Sequence, residues 1–462
     1  MDDERSIIPD AAIAIVDGAI VDLGPDADVV ARWGATEVID AAGAPVHPGL
    51  VEAHLHCSYQ LFRGALPDQL QEEDAFREFE GHFYRAVDDE DEHASAVIAA
   101  LEMIRHGTTA FLEPGTVLEV EAAATAAELV GIRAVLADSF IWDDPEGLAM
   151  GKNAHPERNT SMIPRAASDR ASVRSRLGRM AVRQSPPGSL VTGHVAVLGL
   201  GTASTELMIE AKRVADDAGV VLNFHQSYSP GDTARDHQRL GAHPIVALRD
   251  LGVVDRSTTM AHVNHVSDAE FHALVESGAT VAWAPAASMM WGHGSTLDGR
   301  HAELHRAGAS VALGSDSPNW SNSLDLFRQA SLAVLTARES HRDRTYLVAE
   351  DGFAMATRGG ARAAGISDRA GSIEIGKRAD LVVHSLRRPE LLPLTDPVRN
   401  LVYSAGSSTV DTVVIEGRVV LRGGMFPHLD EEALLRRASE RSVGLLRRMG
   451  YTVGPNDLGR RV

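Results

Sequence analysis

Two histidines two residues apart, His54 and His56, follow the apolar stretch VHPGLVEA (46–53). Alternate residues of a strand share a face, so at a strand end their imidazoles project side by side. A metal ion needs that arrangement, and packing rarely does. Three more polar residues each close an apolar run of β character: His225 ends VVLNFH (220–225), His262 ends TTMAH (258–262) and Asp316 ends VALGSD (311–316). Three imidazoles and a carboxylate suit zinc or another divalent transition metal. Water polarised by such an ion attacks electrophilic carbon at neutral pH.

Such a cluster requires elements that bring distant strand ends together. From about residue 49 to 367, β-like runs alternate with helix-like runs, as in TVAWAP (280–285) and SVALGSD (310–316). That alternation predicts an α/β fold with a parallel sheet, most economically a (β/α)8 TIM-like barrel whose strand ends converge on one face. Asp17-Gly18 and Glu416-Gly417 each separate two apolar runs, the sign of a β-hairpin. Similar hairpins at opposite ends predict a small β-sandwich built from residues 1–48 and 368–428. It flanks a barrel over 49–367, and a helical tail follows over 429–462. Residues 143–189, rich in Pro, Arg, Ser and Met, read as a long loop or short helices, and long loops of this kind are often functional.

Composition narrows the chemistry. The chain has 462 residues, 44% of them hydrophobic, with 20 His, one Cys and a net charge of −20. One cysteine excludes an internal disulfide framework and Cys-rich metal sites. The negative charge disfavours nucleic acid and anionic membranes as partners. The acidic start MDDERSIIPD is not a secretory signal, and no apolar run approaches the roughly 20 residues that span a bilayer. The expectation is a soluble, cytoplasmic protein.

The segment HPGLVEAHLHCSYQLFRG (47–64) resembles the first-strand signature of the amidohydrolase superfamily, in its cytosine deaminase and chlorotriazine hydrolase branch. The likeness continues through HGTTAFLEPG (106–115), AHVNHVSDAE (261–270), ALGSDSPNWSNSLDLF (312–327) and residues 356–383. It implies that His54, His56, His225 and Asp316 ligate one divalent metal ion, that Asp316 also moves the proton, and that His262 touches the catalytic water or the substrate. Zinc is the expected ion, with cobalt, iron or manganese as alternatives. Binuclear relatives bridge two ions through a carboxylated lysine, or another acid, on the fourth strand. The segment assigned to that strand, SLVTGHVAVLGLG (189–201), has no lysine, and the three lysines of the chain, Lys152, Lys212 and Lys377, lie elsewhere. The family also implies a homo-oligomer, dimer or tetramer.

Departures from the family pattern bear on the substrate. Deaminases of this branch place Glu three residues after the fifth-strand His, where Tyr228 stands here. The seventh strand reads Trp283-Ala284-Pro285 in place of His-Cys-Pro, and Asn319 and Trp320 follow Asp316. These changes predict an apolar, aromatic pocket for a small neutral organic substrate, with Tyr228, Trp283, Asn319 and Trp320 as contacts. Gln60, at a common family position on the first loop, and His265, just after His262, are further candidate contacts. Glu113 is a further candidate. The expected reaction is hydrolysis at the sp² carbon of a urea, carbamate, thiocarbamate or amide, as in the phenylurea and molinate hydrolases. The alternatives are an aminohydrolase or dechlorinase of an N-heterocycle and a non-catalytic scaffold.

Overall fold

A computed structural model of the chain describes residues 5–70, 79–144, 163–452 and 460–461. Asp17 and Gly18 take φ of +50° and +76°, the two positive values that a type I′ hairpin requires. They join β1 (Ala11–Val16) to β2 (Ala19–Pro25). After β3 (Val46–Pro48) come the parallel strands β4 (Leu50–Glu52), β5 (Thr108–Leu112), β6 (Arg133–Leu136), β7 (Val191–Gly193), β8 (Val195–Gly199), β9 (Leu222–Gln226), β10 (Thr258–His262), β11 (Thr280–Trp283) and β12 (Ser310–Leu313).

Strands β4 to β7 form one parallel sheet and β8 to β12 another. They join at both seams. Between β7 and β8, the His194 N–H bonds to the Leu136 carbonyl at 3.0 Å and that of Val195 to the Val221 carbonyl at 3.2 Å. At the opposite seam, Ala53 donates to Leu313 at 3.1 Å and Asp316 to His54 at 2.9 Å. β7 and β8 are therefore two halves of one strand, and among the described residues eight parallel strands close on themselves with helices between them. Near this second seam, Ala53, Ala282, Ala312 and Ala363 form a cluster of small buried residues. Gly314 allows β4 and β12 to approach, since a Cβ there would lie 2.8 Å from the His54 Cβ.

Beyond the barrel, β13 (Leu381–His384), β14 (Val410–Ile415) and β15 (Arg418–Leu421) complete an antiparallel sheet of order β15-β14-β13-β3. Strands from before and after the barrel thus share hydrogen bonds. Ile13, Ile15, Ile20 and Leu23 of the first hairpin pack on Leu381, Val414 and Val419 of this sheet. Arg133, 1% exposed, ties the barrel to the sheet through Asp380 at 3.0 Å and Glu416 at 2.5 Å. Removing one partner of such a buried ion set costs about 3–5 kcal/mol.

The C-terminal helix Glu431–Arg448 is capped by Asp430. It docks Arg441 and Arg448 on the buried Asp91 carboxylate. Of the loop expected over 143–189, residues 145–162, Lys152 included, lie outside the described residues. From residue 163 onward it contains one short helix, Arg170–Arg176, and turns. Among the described residues, no helix is long and apolar enough to cross a membrane.

Candidate active site

The ends of β4, β9, β10 and β12 bring five side chains together. His54 lies with its ring centroid 4.8 Å from His56, 4.9 Å from His225 and 5.0 Å from His262. Asp316 Oδ1 is 3.7 Å from His54 Nε2 and 3.5 Å from His56 Nε2. The Nε2 atoms of His56 and His225 face each other at 3.4 Å. Two overlapping groups, His54–His56–Asp316 and His54–His225–His262, each have potential ligand atoms within 4.8 Å of one another.

The surroundings fix which nitrogens are offered. The His225 Nδ1–H donates to the Leu198 carbonyl at 2.6 Å, which leaves Nε2 with its lone pair. The His56 Nδ1–H donates to Thr116 Oγ1 at 2.8 Å, and the Thr116 hydroxyl in turn donates to the buried Glu113 at 2.7 Å. Such outer partners orient metal-binding imidazoles and raise their basicity. His54 is fully buried, yet neither Nδ1 nor Nε2 has a hydrogen-bond partner among the described residues. Buried polar atoms are ordinarily paired, so this orphaned imidazole fits a ligand to a cation.

Burial also keeps the imidazoles uncharged. It holds His54, His56 and His262 well below the usual imidazole range, with neighbouring histidines adding to the effect, and it lowers His225 to about 4. Neutral imidazole is the form that binds a metal. Beneath the cluster, Glu52 accepts from Ser315 N–H at 2.8 Å, Ser315 Oγ at 2.7 Å and His54 N–H at 3.2 Å. It pins the two ligand-bearing strands together. Burial raises its carboxyl to about 7.

The other expected contacts divide. The Tyr228 ring lies 4.9 Å from His262 and 4.5 Å from His293, at the cluster. Trp320 lies 6.0 Å from Tyr228, packs at a tilt against Trp291 with centroids 4.1 Å apart, and donates from Nε1 to Glu80 at 2.9 Å. Asn319 is buried with neither amide atom partnered among the described residues. His265 sits nearer the rim, 3.7 Å from Asp298. Gln60 donates from its amide N–H to Glu102 at 2.6 Å, while its buried Oε1 has no hydrogen-bond partner among the described residues. One expectation requires correction. Trp283 does not line the cluster. Successive strand residues face opposite sides; Ala282 belongs to the cluster of small residues, and the Trp283 indole stacks on His301.

Several residues of the site escaped the sequence reading. Thr116, Glu52 and His301 act through partners distant in sequence, and no local pattern marks them. His194 was available as a polar residue at a strand break. It is buried with both ring nitrogens unpartnered among the described residues, and burial lowers it to about 3.

A parallel barrel with imidazoles and a carboxylate gathered at its strand ends defines a metal-dependent hydrolase. The chain belongs to the amidohydrolase family, which it matches over residues 46–420. It is 32% identical over 434 residues to a 5-methylthioadenosine/S-adenosylhomocysteine deaminase of Desulforudis audaxviator, covering 94% of each chain. It is 31% identical over 438 residues to a 5'-deoxyadenosine deaminase of Methanothermobacter thermautotrophicus, again covering 94% of each. Among solved structures, a zinc-bound adenosine deaminase from Xanthomonas campestris superposes with a TM-score of 0.85 at 27% identity, covering 96% of this chain and 95% of the other. The protein is an amidohydrolase acting on carbon–nitrogen bonds, with a histidine-rich site for a single divalent metal ion.

Proposed function

We propose that this enzyme removes the exocyclic amino group of an aminopurine-type N-heterocycle. The observation that carries the reading is the likeness, over nearly the whole chain, to proteins named as adenosine-type deaminases. It shifts the preference from ureas and carbamates to a ring amine. His54, His56, His225 and Asp316 would hold the metal, and the neutral imidazoles and orphaned His54 nitrogens support that assignment. A bound divalent ion lowers the pKa of water from 15.7 to about 7.

The residues divide the remaining work. Asp316 takes a proton from the attacking water and returns it to the departing amine. Oxygen bonds to the ring carbon, the carbon–nitrogen bond breaks, and ammonia leaves. His262, beside the cluster, stabilises charge that develops on the ring. Tyr228 stands where the branch uses a carboxylate; its phenol hydrogen-bonds the heterocycle, and a phenol is a poorer proton shuttle at neutral pH than a carboxylate. The strands from both termini are read as one small β-sandwich flanking the barrel.

Tyr228 also favours a second reading, hydrolysis of a neutral urea, carbamate or thiocarbamate, which needs no ring protonation. Ammonia release should be measured with zinc-loaded enzyme on 5'-deoxyadenosine, adenosine, a phenylurea, a thiocarbamate and a chlorotriazine. The first reading requires ammonia from an aminopurine. Turnover confined to the urea or thiocarbamate would replace it with the second.

A further inference from the structure

At the end of β10 the backbone turns through His262 and Val263, with φ of +71° and +53°. The Val263 N–H reaches back two residues to the Ala261 carbonyl at 3.1 Å. His262 therefore sits at the centre of a γ-turn of positive φ, a rare and strained conformation. Such strain persists only where its surroundings enforce it. Two outside bonds do so. Val263 N–H also donates to the Gln226 carbonyl of β9 at 2.9 Å. His301 Nε2–H donates to the His262 carbonyl at 2.7 Å.

His301 is itself held. It is 1% exposed, and its ring lies parallel to the Trp283 indole, with centroids 4.7 Å apart and planes inclined by 1°. The indole is anchored in turn, donating from Nε1 to Ser295 Oγ at 3.2 Å. Gly299 leaves the ring its room, because a Cβ at that position would lie 2.4 Å from His301 Cε1.

We propose that His301, clamped by Trp283, is a positioning residue that holds the turn at His262 and so aims the His262 imidazole at the cluster of candidate metal ligands. The imidazole lies with its centroid 5.0 Å from His54 and 5.3 Å from His225. An ångström of misplacement at a reacting centre can lower a rate by about 100-fold. The inference rests on the hydrolase reading of this site, whichever bond it cleaves, and it gives Trp283 a role through His301.

The test compares zinc-loaded wild type with His301→Gln, which keeps an N–H donor, and His301→Leu, which does not. Crystal structures read φ at residue 262 and the position of its imidazole. Kinetics on the substrate found by the ammonia and hydrolysis screen read kcat and KM separately. In His301→Leu, φ at 262 should relax to negative values, and kcat should fall about 10- to 100-fold with KM little changed. His301→Gln should restore both. The proposal is overturned if His301→Leu keeps the wild-type turn and kcat. It is equally overturned if Gln and Leu lose activity and thermal stability in parallel, as a purely structural residue would. Should His301→Leu fail to accumulate, Trp283→Leu, which removes the stack but leaves the donor, is read by the same criteria. A screen that finds no aminopurine turnover would count against the deaminase reading alone, because the crystallographic comparison needs no substrate.

Discussion

Replacing Thr116 with Val should weaken zinc binding without touching a proposed ligand. Thr116 Oγ1 accepts the His56 Nδ1–H at 2.8 Å and donates to Glu113 at 2.7 Å. Valine has the same shape and no hydroxyl, so the imidazole N–H would be left unpaired in a site where Thr116 is 3% exposed and His56 6%. An unmade buried hydrogen bond costs about 1–3 kcal/mol. Loss of an outer partner of a metal-binding histidine weakens affinity about 10- to 100-fold, which at 1.4 kcal/mol per decade corresponds to roughly 1.4–2.8 kcal/mol. The two routes agree. Glu113 would stay in place, because it also accepts from Gly115 N–H at 2.8 Å and Thr116 N–H at 2.9 Å. Competition with a chromophoric chelator measures the zinc Kd of wild type, Thr116→Val and Thr116→Ser. Serine should retain most of the affinity. If Val binds zinc as tightly as wild type, the relay behind His56 plays no part in orienting the metal site.

Asp316→Asn should abolish turnover while leaving the circular dichroism spectrum and melting behaviour near wild type; full activity would remove Asp316 as the proton carrier. Tyr228→Phe should lower kcat/KM about three- to tenfold through loss of one hydrogen bond, whereas Tyr228→Glu should raise aminopurine deamination, and the opposite order in an ammonia assay would contradict the role given to the phenol. Gly314→Ala should destabilise the fold by about 1–3 kcal/mol in urea melts, because its Cβ would meet the His54 Cβ at 2.8 Å. Acid should destabilise the protein through His47, whose Nε2 lies 2.8 Å from His384 Nε2 and whose pKa burial lowers from 6.5 to about 4. The folded state then binds fewer protons than the unfolded one. His47 is neutral in both states above about pH 6.5, and stability is lost as pH falls from there toward 4, about 2 kcal/mol of it by pH 5. His47→Gln should flatten that slope between neutral pH and about pH 5, and an unchanged slope would exclude His47 as its source.

Much of this protein was legible before folding because strand periodicity is local. His54 and His56 two residues apart must share a face, and His225, His262 and Asp316 each close an apolar run. Asp17-Gly18 and Glu416-Gly417 supply the positive φ values that type I′ turns need. The terminal helix, Glu431–Arg448, falls within its expected span. Trp283 was misplaced because residue type does not state direction: its side chain faces the helices, stacked on His301. The fourth strand was legible as a segment but not as a strand broken at His194. Tertiary structure alone decided how the five polar side chains converge, which imidazole nitrogen each relay leaves open, and that His301 reaches the carbonyl of His262. The physical reason is range. A sequence fixes the residue types and the periodicity of each strand, but a hydrogen bond between residues 39 or 263 positions apart, as from His301 to His262 or from Ser315 to Glu52, exists only once the barrel has closed.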